Sequence, residues 1–183
     1  RAWKPTVSPA DTADTAGLIF IPYERLKKSH YRDVLKLLDE VHAQEAYEAA
    51  QAAYRADPSD PFWWPLVASA SLQKGKAEEA LNLFRRYLDI LPPLEKAYYE
   101  DLSLVASREE AERYSGLPEE GRRDFLTRFW MQRDPTFVTA GASRQAEHYR
   151  RVWFSRTFFS RAATPFDRRG EIYVRYGEPD WRA

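Results

Sequence analysis

Two stretches of this chain match each other at a fixed distance, and that match limits the fold more than any other feature. Ala46, Ala50, Ala53 and Pro58 recur 34 residues later as Ala80, Phe84, Tyr87 and Pro92, and Glu45 recurs as Glu79. Within these stretches apolar positions fall three and four residues apart, the spacing that lines one face of an α-helix. Apolar helical stripes closed by a proline read as a pair of helices that cannot bury its apolar face alone and must stack on a neighbour. Ala80 is small enough for two helices to approach closely, and Phe84 fills the space toward the next unit. Gly75 supplies the left-handed backbone of a helix end without a steric penalty. Ahead of the repeat, helical patterning starts near Tyr23. Val34, Leu35, Leu37, Leu38 and Val41 then mark one buried helical face.

The later copy resembles a tetratricopeptide repeat. Trp64 holds the aromatic position of the first helix, Gly75 the turn, Ala80, Phe84 and Ile90 the packing seam, and Pro92 the end. The earlier copy is degraded, with Val41 where glycine belongs. A third is only begun: Tyr98 lies 34 residues after Trp64, and Ala97, Leu102 and Val105 continue an apolar stripe. The stripe gives way to Ser107–Tyr114, where Ser107 and Glu110 form a capping box. About two and a half units fall short of the roughly three that such a stack needs, so neighbouring segments must cap it. The resemblance implies a concave groove that binds peptides, with Phe62, Ser69 and Gln73 facing it. Trp63 and Trp64, being adjacent, point to different helix faces.

From Gly116 the texture changes. Leu117–Glu120 reads as a helix start, with proline and acids in the first turn. Phe125, Leu126, Phe129 and Trp130 form an apolar face up to Asp134, where the helix ends with Asp134 pairing Arg133 or an arginine of the next helix. That next helix starts after Ser143, with Ala146, Tyr149, Val152 and Trp153 on one face, and breaks at Ala162–Pro165. Asp167–Gly170 is turn-like, with arginines forking onto carboxylates. Glu171–Tyr176 alternates as a strand should. A lone strand cannot satisfy its own ladder. Its partners would lie beyond residue 183, in another chain, or in the stretch Leu18–Ile21.

The stretches Arg128-Phe129-Trp130, Arg133-Asp134-Pro135-Thr136, Tyr149 with Arg151-Val152, Gly170–Val174, Tyr176-Gly177 and Pro179-Asp180 together resemble the start of the bacterial GWxTD domain. The naming motif falls at Ala163–Asp167, where only the aspartate survives. Proteins with this domain are commonly larger, often carry tetratricopeptide repeats and look exported or envelope-bound, and the resemblance implies no catalytic activity. The expected fold is mainly α, a hairpin stack plus a C-terminal helical segment ending in a single β-strand. Residues 1–22 would form an extended arm anchored by Trp3, 23–106 the repeats, and 107–183 the GWxTD-like segment. The chain begins with arginine, which reads as a processed product or a fragment.

Chemistry is harder to find. Cysteine is absent, which removes thiol nucleophiles, iron–sulfur clusters and cysteine-held zinc. His30, His42 and His148 have no metal-site spacing and read as surface or capping residues. There is no phosphate-cradling glycine loop and no Gly-x-Ser-x-Gly. No cofactor, metal or small-molecule substrate is expected, and no apolar run is long enough to cross a bilayer, so membrane association would come only through partners. The net charge is zero, but residues 1–121 carry 15 basic and 21 acidic side chains, and residues 122–183 carry 13 and 7. Every basic residue after Lys96 is arginine. This asymmetry suggests two separate surfaces with separate partners. The run Arg150–Arg161 interleaves arginines with aromatics, a pattern that holds phosphates and stacks bases. Its aromatics cover both helix faces, which favours a protein interface or core over nucleic acid. Arg150, Phe154, Phe158 and Arg161 are therefore candidate protein-binding residues beside Phe62, Ser69 and Gln73. The expected function is a non-catalytic interaction scaffold or accessory subunit, in the bacterial periplasm or cell envelope. The alternatives are a transient peptide-binding module and a piece of an enzyme whose active site lies elsewhere.

Overall fold

The computed structural model describes residues 29–134, 141–160 and 165–178. The arm at 1–22, Arg161, Ala163 and Thr164 of the degraded motif, and the Pro135-Thr136 and Pro179-Asp180 pieces of the second resemblance lie outside the described residues. Among the described residues every regular element is an α-helix. They are α1 (Ser29–Asp39), α2 (Ala43–Ala56), α3 (Trp63–Gln73), α4 (Ala77–Asp89), α5 (Pro93–Glu100), α6 (Arg108–Ser115), α7 (Glu119–Arg133), α8 (Ala142–Phe158) and α9 (Arg168–Tyr176).

The 34-residue period is visible in the backbone. α1 ends at Asp39 and α3 at Gln73, and α2 begins at Ala43 and α4 at Ala77, each pair 34 apart. The turns match bond for bond. The N–H of His42 donates to Leu37 O at 2.9 Å, and that of Lys76 to Ser71 O at 2.8 Å. The N–H of Val41 donates to Leu38 O at 3.3 Å, and that of Gly75 to Leu72 O at 2.9 Å. Such a helix ending needs one left-handed residue. Gly75 takes it at φ 74° and Val41 at φ 59°. For valine this brings Cβ against the next carbonyl, at about 1–2 kcal/mol. Val41 is 70% exposed and stands outside the buried face expected of it.

Ala46, Ala50, Ala80 and Phe84 are fully buried where α2, α3 and α4 pack on one another. Trp63 rather than Trp64 lies in the core, stacked on Tyr31 with centroids 4.2 Å apart. Ile90 and Ala97, expected on the apolar stripe, are exposed. α5 lasts only eight residues, and its inner face carries Glu95 and Tyr99. α8 lies against α3, α4 and α5, with α7 and α9 also packed on it. Its Ala146, Tyr149, Val152 and Trp153 are all buried, the face read from the sequence. One continuous core therefore runs from Tyr31 to Val174. Leu102, Phe129 and Trp130 form a smaller cluster beside it. The Ser107–Glu110 capping box at the start of α6 is present in both directions.

Residues Glu171–Tyr176 form a helix, which corrects the expected strand. Asp167 caps it, accepting from the N–H of Arg169 at 2.9 Å and of Gly170 at 3.4 Å. Gly170, Tyr173 and Val174 are buried at helical spacing, while Ile172 and Tyr176 are exposed. Over six residues an alternating pattern and a helical one share most of their positions, so the N-terminal cap decides between them. The search for partner strands ends with the strand itself.

Candidate functional site

The candidate site is assembled where α7, α8 and α9 meet. Gly141 caps α8 with a left-handed φ of 87°, and a Cβ there would lie 2.7 Å from the backbone nitrogen of Met131. Only glycine permits this closeness, which sets the start of α8 directly against the last turn of α7. Arg144 in the first turn of α8 then reaches across, its Nε donating to Arg133 O at 3.0 Å. α9 returns along α8 and stops at Gly177, φ 84°, where a Cβ would meet Arg151 Nη2 at 2.7 Å. Between the three helices lies a cavity of about 270 Å³.

Its buried lining includes Trp130, His148 and Val174; Arg144 and Arg175 are exposed beside them. Arg133, Arg151, Glu147 and Val105 complete the wall. Four arginines thus face one glutamate. Arg133 is spent: its Nη2 donates to both carboxylate oxygens of Glu110 at 2.8 and 2.7 Å, and its guanidinium lies 3.6 Å from the Phe129 ring centre. Glu147 is spent as well, accepting from Arg150 Nε and Nη2 at 2.8 and 2.9 Å and from Arg151 Nε at 2.8 Å. Burial pushes the Glu147 carboxyl up, but these arginine bonds outweigh it and hold it below its ordinary value. Arg175 Nε donates to Leu104 O at 3.1 Å. Neither Arg144 nor Arg175 has a carboxylate partner among the described residues.

His148 is buried, where the sequence suggested a surface or capping role. Its Nε2 lies 3.1 Å from Tyr99 O, and since a carbonyl only accepts, the proton sits on Nε2. Nδ1 is buried without a partner among the described residues. Burial pushes the imidazole down to about 4, against the opposing pull of the Tyr99 carbonyl, so it is neutral near pH 7. Its ring packs at 4.9 Å on Trp130.

The residues singled out in the sequence sit elsewhere and are largely engaged within the chain. Phe62 and Ser69 are buried, and Ser69 Oγ donates to Pro65 O at 2.7 Å, so neither offers a face to a peptide. Gln73 is exposed, with its Nε2 on Leu38 O at 2.8 Å. Phe154 stacks on Tyr173 of α9 at 4.5 Å and meets Phe158 at a tilt, centroids 4.4 Å apart. Arg150 holds Glu147 and donates to Tyr173 OH at 3.1 Å. Arg133 pairs with Glu110 rather than Asp134. Arg169 does fork onto Asp167, with Nη2 at 2.6 Å, and this holds the Asp167 carboxyl down to about 2. Among the described residues no cluster of three or more His, Asp or Glu is placed to hold a metal.

Sequence reasoning missed the buried pair Glu95–Arg156 altogether. Arg156 Nε and Nη2 each lie 2.7 Å from a Glu95 oxygen, with side chains 5% and 4% exposed. An acid on a short amphipathic stripe gives no sign of facing inward. The only available signal was an arginine on the same helix face as Tyr149, Val152 and Trp153. No protein-family model matches the chain, and neither a curated protein nor a solved structure gives a match.

Proposed function

We propose that this chain is a non-catalytic scaffold or accessory subunit: a short tetratricopeptide-like stack, closed by a GWxTD-like helical segment, that holds other proteins in a bacterial envelope assembly. The observation that carries the reading is the repeated turn. Two helix ends 34 residues apart share hydrogen bonds and left-handed residues, even though one of them is a valine that pays strain for it. Helical hairpins stacked in this way generate extended interaction surfaces. The envelope location rests on the GWxTD resemblance alone. Among the described residues no helix is long and apolar enough to cross a membrane.

The surface available to partners differs from the one the repeat register implies. With Phe62 and Ser69 buried, the groove residues give way to exposed apolar side chains: Ile90 just after α4 and Leu94 in the first turn of α5, Met131 on α7, and Ile172 with Tyr176 one turn apart on α9. Exposed aromatic and aliphatic anchors of this kind carry most of the energy in protein interfaces. The test is gentle extraction of the native protein, size separation, and mass spectrometry of what travels with it. Fixed-ratio co-migration with a larger assembly, lost on changing Ile172 and Tyr176 to glutamate, supports the subunit reading. Migration alone at the mass of one chain refutes it and leaves the transient module or the enzyme fragment.

A further inference from the structure

From the cavity between α7, α8 and α9 we infer a binding site for a phosphoryl group, either the free ion or one carried on a small molecule. This goes beyond the scaffold reading and does not depend on it. The lining bears four guanidiniums against one carboxylate, and that carboxylate is already held by Arg150 and Arg151. Arg133 is neutralised by Glu110, so about two positive charges are left over, counting His148 as neutral. Excess charge of one sign around a concave, partly desolvated space raises the local concentration of the opposite ion.

The geometry is specific about which donors remain. Arg144 and Arg175 each commit Nε to a backbone carbonyl, Arg133 O and Leu104 O. Those bonds fix the direction of each fork and leave the terminal nitrogens without a partner among the described residues. Arg151 is similarly clamped, with Nε on Glu147 and Nη1 near Val174 O at 3.5 Å. Gly177 gives its Nη2 room that any side chain would take. Guanidiniums oriented in advance lose little entropy on binding. They come from two different helices, the first turn of α8 and the last turn of α9, with a third about two turns further along α8. A carboxylate presents two oxygens in one plane and satisfies at most two such forks. A phosphate dianion presents oxygens in several directions, carries two charges and matches forks arriving from separate elements. The volume of about 270 Å³ admits a phosphoryl group with a few attached atoms.

The experiment is titration of the full chain with inorganic phosphate, glycerol 3-phosphate and citrate at constant ionic strength. It is read by calorimetry and by the midpoint of thermal unfolding. Saturable phosphate binding, tighter than citrate, is expected. Each charged hydrogen bond lost is worth about tenfold, so Arg144→Gln with Arg175→Gln weakens binding by about a hundredfold. Both side chains are exposed and make a single backbone bond each, so the variant folds; Arg175→Gln alone, at about tenfold, is the fallback. Arg108→Gln removes a charge that is 91% exposed and outside the cavity, and leaves affinity unchanged. Tighter binding of glycerol 3-phosphate than of phosphate identifies a carried group, and the reverse the free ion; either satisfies the inference. No saturable signal, binding of citrate without phosphate, or an equal loss in Arg108→Gln overturns it.

Discussion

The pair Glu95–Arg156 is where the two parts of the chain depend on each other, and its removal has a calculable effect. Arg156 lies on α8 and Glu95 on α5, 61 positions apart, and two parallel bonds of 2.7 Å join them in a nearly dry environment. Arg156 also donates to Pro165 O and sits 4.9 Å over the Tyr98 ring. Replacing Arg156 with methionine keeps most of the packing but leaves the Glu95 carboxylate buried without its fork. Losing one member of a buried pair costs about 3–5 kcal/mol, because the other charge remains. For a chain of this size that is a drop of about 6–20 °C in unfolding midpoint. Glu95→Leu alone strands the guanidinium and costs a similar amount. The double variant Glu95→Leu with Arg156→Met removes both charges and returns to within about 1–2 kcal/mol of the parent. Urea unfolding, followed by helical circular dichroism and by tryptophan fluorescence, to which buried Trp153 on α8 contributes, reads all three variants. A single variant within about 0.5 kcal/mol of the parent, or a double variant that costs the sum of the singles, refutes a buried and mutually dependent pair.

Three further outcomes follow from the same structure. Val41→Gly relieves left-handed strain of about 1–2 kcal/mol against a glycine entropy cost of about 0.5–1, so it stabilises by up to about 1.5 kcal/mol, while Gly75→Val destabilises at the matching turn. Equal and opposite signs in chemical denaturation check the pair; destabilisation by Val41→Gly would show that the turn is not under strain. Trp130→Ala empties the small cluster with Leu102 and Phe129 and costs about 3–5 kcal/mol; a change within about 0.5 kcal/mol would remove Trp130 from the core. The imidazole of His148 falls from an ordinary 6.5 to about 4 on folding. Between those values the unfolded chain binds the proton and the folded chain does not, so stability declines as pH falls from 6.5 and has lost about 3 kcal/mol by pH 4. His148→Gln removes that slope above the carboxylate range; the Glu147 and Glu110 carboxyls, held down by arginines, add their own decline below their ordinary 4.5, and the Asp167 carboxyl, held down by Arg169, below its ordinary 3.8. An unchanged slope in His148→Gln would place the titration on another group.

What could be read in the sequence divides by the range of the interaction. The 34-residue register was legible because each position answers to its neighbours three and four residues away. Those local rules put Ala80 and Phe84 inside and Ser107 on a cap. They also marked Gly75 as the left-handed turn, and they named the odd residue, Val41, without saying that it keeps the glycine conformation. The same rules failed at Glu171–Tyr176, where six residues are too few to separate the two periods and one carboxylate, Asp167, tips the balance. They failed more fully at α8. Its aromatics on both faces signalled burial, but not that α3, α4, α5, α7 and α9 would surround it. The cavity was invisible for the same reason: Arg144 and Arg175 are unremarkable along the chain, Arg151 stood out only within the arginine–aromatic run, and the three converge only because Gly141 and Gly177 let the helices close on one another.

The charge asymmetry has a different meaning from the one its profile suggests. An acidic first part and an arginine-rich second part look like two surfaces for two partners. Yet Arg156 holds Glu95, and Arg133 holds Glu110, so in both cases a second-part arginine grips a first-part acid. Other arginines clamp backbone or nearby acids: Arg144 on Arg133 O, Arg175 on Leu104 O, Arg150 and Arg151 on Glu147, Arg169 on Asp167. Each contact uses the planar fork or a side-on Nε, and a lysine ammonium supplies neither. Internal clamping thus accounts for Arg133, Arg144, Arg150, Arg151, Arg156, Arg169 and Arg175 among the arginines after Lys96, and a nucleic-acid surface is not needed to account for these. What the clamps do not absorb is the remainder at the cavity, where Arg144 and Arg175 are held by Nε alone. Their terminal nitrogens point the same reasoning outward, to an anion that no described residue provides.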